Sequence, residues 1–268
     1  MNFRKVGKVT LLVAVLGAGL VFVLEYCTER IEERKIFDQP SAWVPIVEEE
    51  RVIPAESVIS TTEAAPAVEP VRSKIWPAVP FISQAPTSEW GKSEFQNGCE
   101  EASAIMVHAW RTGQTYTRET AKQTLIAMAR YQEKKIGQGI DTDARDTADI
   151  LLRGYFDISA YRLVYDFSLD DLQQATAEGI ILVPANGQAL KNPNFTRPGP
   201  LQHMLVVTGY DVMTKEFITN DPGTRKGKSY RYPEQILFAA IREYPTGKHL
   251  PIQTERKAMI IVLPGANP

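Results

Sequence analysis

The sequence predicts an α+β fold in which helices come first along the chain and an antiparallel sheet follows. Between about 99 and 153 the apolar residues recur every three or four positions, which is typical of helices that face a core. After 180 the apolar runs are short, and the runs 203–210 and 216–220 are separated by a short polar turn, as in a β-hairpin. An apolar run near the N-terminus adds one predicted transmembrane helix before this body.

The first 27 residues predict an uncleaved, single-pass membrane anchor. Basic residues within 1–8 precede an apolar run at 9–24, and interfacial residues extend the predicted transmembrane segment (9–27) to Cys27. A secretory signal peptide has the same charge pattern, but no small-x-small cleavage site follows this run. Cys27 stands where a lipoprotein cysteine would, although its preceding residues suit that processing poorly. The basic flank predicts a cytoplasmic N-terminus and an extracytoplasmic body in the cell membrane.

Residues 28–74 predict a disordered stalk that leads to a folded body at 75–268. Helical periodicity stops after about 36, prolines interrupt the segment, and small and acidic residues are frequent. A chain of about 40 such residues has an r.m.s. reach of about 35 Å, which keeps a domain near a membrane without docking it. The net charge of -2 gives no electrostatic reason to expect nucleic acid. The sequence contains no Gly-rich loop ending in Lys-Ser or Lys-Thr, so ATP binding is not expected.

Turn and cap residues divide the body into predicted helices and strands. An extended, proline-containing segment at 76–82 comes first. The predicted helices are Cys99 to about Gly113, 118–134 after the cap Thr117, a third to about Arg153 after Thr142 or Asp141, a fourth after Ser168, and 234–241. The predicted strands are 155–164, 180–184, 203–210, 216–220, 228–232 and 258–263.

Cys99 is the first candidate for a chemical role because it is the one cysteine in the body. It falls in the first turn of a predicted helix, where the positive end of the helix dipole favours a thiolate and lowers the thiol pKa. Glu100 and Glu101 act against the thiolate, and Asn97 with Glu100 has the spacing of a capping box. The alternative is that Cys99 is a small apolar residue at the start of a buried helix.

A thiol nucleophile needs a base, and the chain has three histidines. His108 lies about half a helical rotation from Cys99, which predicts a structural role. His249 stands in a loop, is predicted to have no orienting acid nearby and is predicted to be exposed. His203 opens an apolar strand, so it is predicted to lie at the end of a sheet beside a cleft.

The predicted hairpin brings Asp221 close to His203. A carboxylate there accepts from one ring nitrogen and holds the other towards a thiol. Asn220 is the competing orienting residue, and since adjacent strand residues point to opposite faces, only one of the two can serve. Asp221 also fits simple turn chemistry before Pro-Gly. Gln84, upstream of the cysteine, is a candidate donor to the oxyanion of a tetrahedral intermediate; the alternative is a solvated loop residue.

No metal or cofactor is predicted for this chain. Asp141, Asp143 and Asp146 have calcium-like spacing, but Leu152 stands where a bidentate glutamate would close the loop. Acidic residues at a helix start explain these three better, and the chain has no paired cysteines or His-x-x-x-His for zinc.

Four segments in this order resemble the papain-like cysteine peptidases of the bacteriocin-processing, double-glycine type, in the branch of standalone domains. They are Val79-Pro80-Phe81-Ile82-Ser83-Gln84, Asn97-Gly98-Cys99-Glu100-Glu101-Ala102-Ser103, His203-Met204-Leu205-Val206-Val207-Thr208-Gly209-Tyr210-Asp211 and Asn220-Asp221-Pro222-Gly223. The resemblance covers about 76–263. It implies a papain-like fold, with N-terminal helices that carry the cysteine packed on a C-terminal antiparallel sheet. It also implies that Cys99 is the nucleophile, His203 the base, Asp221 the orienting residue and Gln84 the oxyanion donor.

The sequence departs from the exporter members of that family at the residue after the cysteine. Those members carry a glycine there, and this chain has Glu100. We therefore expect a standalone, outward-facing cysteine peptidase whose partners are a peptide or protein substrate and the membrane. The alternative is a surface binding module that keeps the fold without turnover, because Glu100 and Glu101 disfavour the thiolate.

Overall fold

Antiparallel strands and a preceding set of helices build the part of the protein that the structure, a computed structural model, describes: residues 74–77, 79–137 and 141–265. The predicted anchor at 9–27 and the predicted stalk, except Lys74, lie outside these residues. Within the described ranges, no helix is both long and apolar enough to cross a membrane. The α+β prediction is confirmed for this body, with its helices mainly before its strands.

The elements follow the predicted order closely. The helices are α1 (Ser93–Gln96), α2 (Cys99–Thr112), α3 (Arg118–Ile136), α4 (Ala144–Asp146) continued by a π-helix (Thr147–Tyr155), α5 (Leu169–Ala175) and α6 (Glu234–Ala240). The strands are β1 (Lys74–Ile75), β2 (Tyr161–Tyr165), β3 (Ile180–Ala185), β4 (His203–Asp211), β5 (Glu216–Asn220), β6 (Tyr230–Pro233) and β7 (Ala258–Val262).

The strands form one antiparallel sheet in the order β2-β7-β3-β4-β5-β6, and β1 pairs with the far end of β4. Lys74, the last residue of the predicted stalk, pairs with Tyr210, so the ordered body begins at least one residue earlier than expected. At the other end of β4, His203 pairs with Ala185 of β3. The first residue of β4 therefore lies at an edge of the sheet where loops converge.

The central strands are buried on both faces, which explains their uninterrupted apolar runs. Leu182, Met204 and Val206 contribute to a core with α2 and α3, and the alternate residues Leu205 and Val207 contribute to a second core with α5 and α6. Helix α2 packs against β4, and almost every residue of its first three turns is buried. This packing fixes the start of α2 against the start of β4.

Several of the predicted helix caps are confirmed, because hydrogen bonds and backbone conformation within a few residues determine where these helices begin and end. The Thr117 side chain accepts from the backbone N–H of Thr120 at the start of α3, and Gly137 ends that helix with φ 77°. The Ser168 side chain accepts from the backbone N–H of Asp171 at the start of α5.

Three local predictions are wrong. The capping box of Asn97 with Glu100 does not form, since Gly98 is the N-cap of α2 and the Glu100 carboxyl is used in the interior. The third helix is capped by Asp143, not by Thr142 or Asp141. Its π-helical continuation runs to Tyr155, so the strand predicted from 155 begins only at Tyr161.

Candidate active site

The nucleophile candidate Cys99 is the first residue of α2 and is buried. The turn before it needs glycine, because a Cβ on Gly98 would lie 2.7 Å from the carbonyl oxygen of Glu94. The backbone N–H of Met204 acts to lower the pKa of the Cys99 thiol, so it lies on the sulfur's side of β4. Since Met204 directly follows His203, the packing of α2 on β4 brings the start of α2 close to the start of β4, although about 100 residues separate them in the sequence.

His203 is held rigidly at the start of β4, with 1% of its surface exposed. Its Nε2 lies 2.8 Å from Asp221 Oδ1, and the ring of Phe195 packs edge-on against the imidazole at 5.4 Å between centroids. Gly223 approaches the ring so closely that a Cβ there would lie 2.8 Å from His203 Cε1. With Nε2 bonded to Asp221, Nδ1 is the ring nitrogen left to exchange a proton with a thiol.

Asp221 follows β5 directly and is completely buried. Besides His203, its carboxylate accepts from the Tyr232 hydroxyl at 2.6 Å, from Asn192 Nδ2 at 3.3 Å and from the Gly223 N–H at 3.0 Å. Burial acts to raise the pKa of Asp221, but the charge of His203 and these hydrogen bonds together hold the pKa below its usual value. Asp221 is therefore ionised, and His203 Nε2–H is the donor in their hydrogen bond.

Asn220 does not contact His203 but ties the sheet to the segment before Gln84. Its Nδ2 donates to the carbonyls of Val79 and Pro80 at 3.1 and 3.3 Å, and its Oδ1 accepts from the Ser229 N–H at 3.0 Å. Of the two candidate orienting residues, only Asp221 hydrogen bonds the imidazole. The alternation of side chains at the end of β5 explains this, as expected from the sequence.

Gln84 lies between the loop of Asp221 and the residues before Cys99. Its backbone N–H donates to the Pro222 carbonyl at 3.0 Å, and its Nε2 donates to the carbonyls of Phe95 and Gln96 at 2.8 and 3.0 Å. Its Oε1 is buried with no hydrogen-bond partner in the described residues. Both amide hydrogens thus face the end of α1, and the predicted role of Gln84 as an oxyanion donor stays a prediction.

Sequence reasoning missed that Glu100 is buried beside the thiol. Glu100 is 1% exposed; its Oε2 accepts from Cys99 Sγ at 3.1 Å and its Oε1 accepts from the Tyr244 hydroxyl at 2.8 Å. Burial, together with the charge of Asp141, raises the pKa of Glu100 to about 7. Burial, followed by the charges of Glu100 and Asp141, also raises the pKa of the Cys99 thiol well above its usual value. These effects outweigh the helix dipole, which the sequence predicted to favour the thiolate.

The same interior contains two further acids, Glu101 and Asp141. Glu101 is buried, and burial with the nearby Glu100 charge raises the pKa of its carboxyl. Asp141 Oδ2 lies 2.7 Å from His249 Nδ1, so the prediction that His249 has no acid nearby is wrong. The partner comes from 108 residues earlier in the chain, which no local pattern reveals. In the sequence, the two adjacent glutamates directly after the cysteine could have indicated that acidic groups are buried near the thiol.

The remaining polar candidates have structural partners. His108 stacks on Phe156 with 4.3 Å between ring centroids and shares a hydrogen bond with the Tyr116 hydroxyl, away from Cys99. Asp143 caps α4, and Asp146 accepts from the Thr246 hydroxyl. In the part of the chain that the structure describes, no three His, Cys, Asp or Glu side chains converge as a metal site.

A cavity of about 550 Å³ opens at the loop that follows Asp221. Gly223, which touches the ring, is one of its walls. Trp90 from the loop before α1, Asn194, and the exposed cations Arg225 and Lys226 form other parts of the lining. The cavity is large enough for one or two side chains of a peptide.

The comparison with protein families agrees with this geometry. A family model described as the Peptidase_C39 like family matches residues 77–247. The chain belongs to this family. The matched segment contains Gln84, Cys99, His203 and Asp221, and it confirms the resemblance that the ordered segments carried. No curated protein matches the chain.

Proposed function

We propose that this member of the Peptidase_C39 like family is a cysteine peptidase with Cys99 as its nucleophile. The observation that carries the proposal is the hydrogen bond of His203 Nε2 with the buried Asp221 Oδ1, which orients an imidazole next in sequence to Met204, the residue whose N–H acts on the Cys99 thiol. Family membership supports the same reaction class. A buried carboxylate behind the imidazole is the arrangement that a thiol nucleophile and its base require.

In the proposed reaction the Cys99 S–H proton moves to His203 Nδ1, and the thiolate attacks the carbonyl carbon of a peptide bond. The carbonyl oxygen becomes an oxyanion near the start of α2, where backbone N–H groups are available. The imidazolium then protonates the leaving amine, which departs and leaves a thioester on Cys99. Water, deprotonated by His203, hydrolyses the thioester and restores the thiol.

Gln84 completes the proposed machinery. Its side-chain amide donates to the carbonyls of Phe95 and Gln96, which come shortly before Cys99 in the chain. One of its N–H groups has to turn away from these carbonyls to reach an oxyanion. The proposal also places the peptidase outside the cytoplasm, on a single membrane anchor at 9–27. The support for this placement is the basic flank and apolar run of the sequence.

One observation favours a second function, a peptidase-like module that binds peptides without turnover. The Cys99 thiol donates to a buried carboxyl, and its pKa is raised rather than lowered. A thiol held in this way is a poor nucleophile as long as Glu100 is ionised.

The test uses the purified full-length chain on a mixed peptide library, with cleavage products identified by mass spectrometry. We expect the wild type to cleave a subset of peptides, and Cys99→Ala to lose that cleavage. Cys27→Ala is the matched control, since it removes the other cysteine and should cleave like the wild type. Cleavage that survives in Cys99→Ala would contradict a cysteine mechanism. Peptide binding without cleavage by the wild type would favour the binding module.

The proposed placement has its own test. External protease added to intact cells, or to cells with a permeabilised outer membrane, should release a fragment that begins within 28–74. If the body is protected until the inner membrane is lysed, the proposed orientation is wrong.

A further inference from the structure

A buried carboxyl in contact with the sulfur of Cys99 is the feature that the proposed peptidase reaction does not use. Glu100 Oε2 lies 3.1 Å from Cys99 Sγ, and both side chains are almost completely buried. The second oxygen of Glu100 accepts from the hydroxyl of Tyr244, which is itself 1% exposed. Both carboxyl oxygens therefore have fixed partners, and the charge of Glu100 acts directly on the sulfur.

We propose that Glu100 is a further catalytic residue, which must carry a proton before Cys99 can give its own proton to His203. The inference rests on the proposed function, because it takes His203 as the acceptor of the thiol proton. In the reactive state Cys99 is a thiolate, His203 an imidazolium, and Glu100 a neutral acid whose O–H donates to the sulfur. In the resting state at higher pH, Glu100 is a carboxylate and accepts from the thiol.

The electrostatic reason is the cost of two adjacent anions in a dry interior. A thiolate 3.1 Å from a carboxylate, without water between them, is strongly destabilised. A neutral glutamic acid instead offers the thiolate a hydrogen bond. The proton that Cys99 loses goes to His203. The reactive state therefore has as many protons as the state in which Cys99 is a thiol and both His203 and Glu100 are neutral, and the equilibrium between these two states does not depend on pH. When Glu100 loses its proton as well, the protein is converted to the unreactive resting state.

The groups that face Glu100 come from three parts of the chain. Cys99 and Glu101 belong to its own helix, Asp141 precedes α4, and Tyr244 follows α6. Asp141 raises the pKa of Glu100 and Tyr244 lowers it, with a net pKa of about 7 after burial. Burial raises the pKa of Asp141, and its hydrogen bond with His249 acts against that rise. The titration of Glu100 thus falls inside the working pH range of a peptidase.

The proposal predicts an alkaline limb in the reactivity of Cys99. The rate should fall about tenfold for each pH unit above about 7, since the neutral fraction of Glu100 falls by that factor. An ordinary thiol behaves in the opposite way, because its thiolate fraction rises with pH. If Glu100 itself were the base for Cys99, the rate would rise to about pH 7 and then stay level.

The experiment measures the rate of alkylation of Cys99 by iodoacetamide in the full-length chain between about pH 5 and 9. Peptide mass spectrometry separates Cys99 from Cys27. Glu100→Gln, which cannot ionise, should abolish the alkaline limb, so that at pH 8 Cys99 is alkylated about tenfold faster than in the wild type. Glu101→Gln is the matched control: Glu101 is the neighbouring buried acid, but the Cys99 sulfur donates to Glu100 and not to Glu101, so this variant should retain the limb.

A second variant keeps the test decisive if Glu100→Gln does not fold. Tyr244→Phe removes the hydrogen bond that lowers the pKa of Glu100, and it should move the alkaline limb to higher pH. The proposal is overturned if alkylation of the wild type rises or stays level through pH 8. It is also overturned if Glu100→Gln keeps the wild-type limb.

Peptide cleavage separates the failure of this inference from the failure of the proposed function. Cleavage without the predicted dependence on Glu100 would leave the peptidase assignment standing and remove the role of Glu100. An alkaline limb that Glu100→Gln abolishes, in a chain that cleaves no peptide, would establish the coupling in a module without turnover.

Discussion

His203 Nε2 donates a hydrogen bond to Asp221 Oδ1 over 2.8 Å, with both side chains buried. Several hydrogen bonds fix the position of the carboxylate, since Tyr232, Asn192 and the Gly223 N–H also donate to it. The imidazole therefore has one orientation and one tautomer while it is neutral, with its proton on Nε2. This relationship leaves Nδ1 as the ring nitrogen available to a thiol, and the first prediction follows from it.

We expect Asp221→Asn to reduce peptide cleavage by less than His203→Ala does. The amide keeps the shape of the carboxylate but loses the charge that stabilises the imidazolium. In a serine triad the corresponding change costs about 10⁴-fold. A thiol ionises more readily than a hydroxyl, so the loss here should be smaller than that figure. Steady-state kcat and KM of the two variants on one peptide measure the order.

Asn220→Ala is the control for this assignment. Asn220 holds Val79, Pro80 and Ser229 in place and does not contact the imidazole. Its loss should lower the free energy of unfolding by about 1–3 kcal/mol, as expected for removing one side of buried hydrogen bonds, with a smaller effect on kcat. If Asn220→Ala proved the most damaging variant and Asp221→Asn nearly neutral, Asp221 would not be the orienting residue.

Gln84→Ala should reduce both activity and stability, but not in proportion. The change leaves the carbonyls of Phe95 and Gln96 without their side-chain donor, which should cost about 1–3 kcal/mol in urea unfolding. Loss of an oxyanion donor should lower kcat by about 10²–10³-fold in the fraction that stays folded. Activity per folded molecule equal to that of the wild type would restrict Gln84 to a structural role.

Gly223→Ala should impair catalysis through the imidazole. The new Cβ would lie 2.8 Å from His203 Cε1 and 3.0 Å from Phe195 Cε1, so one of the two rings must move. We expect kcat/KM to fall by about tenfold or more, because small misplacements of reacting groups are costly. Gly91→Ala is the matched control, since a Cβ at this exposed glycine meets nothing within 4 Å. Equal activity of the two variants would contradict a fixed position for His203.

Glu243 should make the fold less stable as the pH rises. Burial first, with the nearby Asp143 charge, raises its pKa from 4.5 to about 7 although the backbone N–H groups of Ala144 and Tyr244 donate to it. The folded state therefore binds a proton more tightly than the unfolded state. Its stabilising effect is complete below about pH 4.5 and is lost as the pH rises towards 7.

Glu243→Gln removes this dependence, since glutamine keeps the accepting oxygen and does not titrate. Relative to the wild type, the variant should gain up to about 3 kcal/mol in free energy of unfolding between pH 4.5 and 7. Urea unfolding at several pH values measures this difference. Glu133→Gln, at an exposed position, is the matched control. Its free energy of unfolding should change with pH in the same way as that of the wild type. A constant difference between Glu243→Gln and the wild type would show that folding does not raise the pKa of Glu243.

The sequence predicted most of the secondary structure because local chemistry decides it. Caps such as Thr117 and Ser168, and the glycine at 137, mark helix ends by their own hydrogen bonds or backbone conformation. The apolar runs of β3 and β4 predicted buried strands, and the spacing of the hairpin predicted that Asp221 comes close to His203. The π-helix before Tyr155 was missed, since no residue pattern distinguishes it from an α-helix.

The sequence by itself therefore determined the α+β class, the family resemblance and the order of the candidate residues along the chain. Only the tertiary structure decided the electrostatics of the site. The pKa of Cys99 depends on how deeply α2 is buried and on Glu100 and Asp141, and the partner of His249 lies in a loop 108 residues away. Such effects depend on the distances between groups and on the exclusion of water, neither of which follows from spacing along the chain.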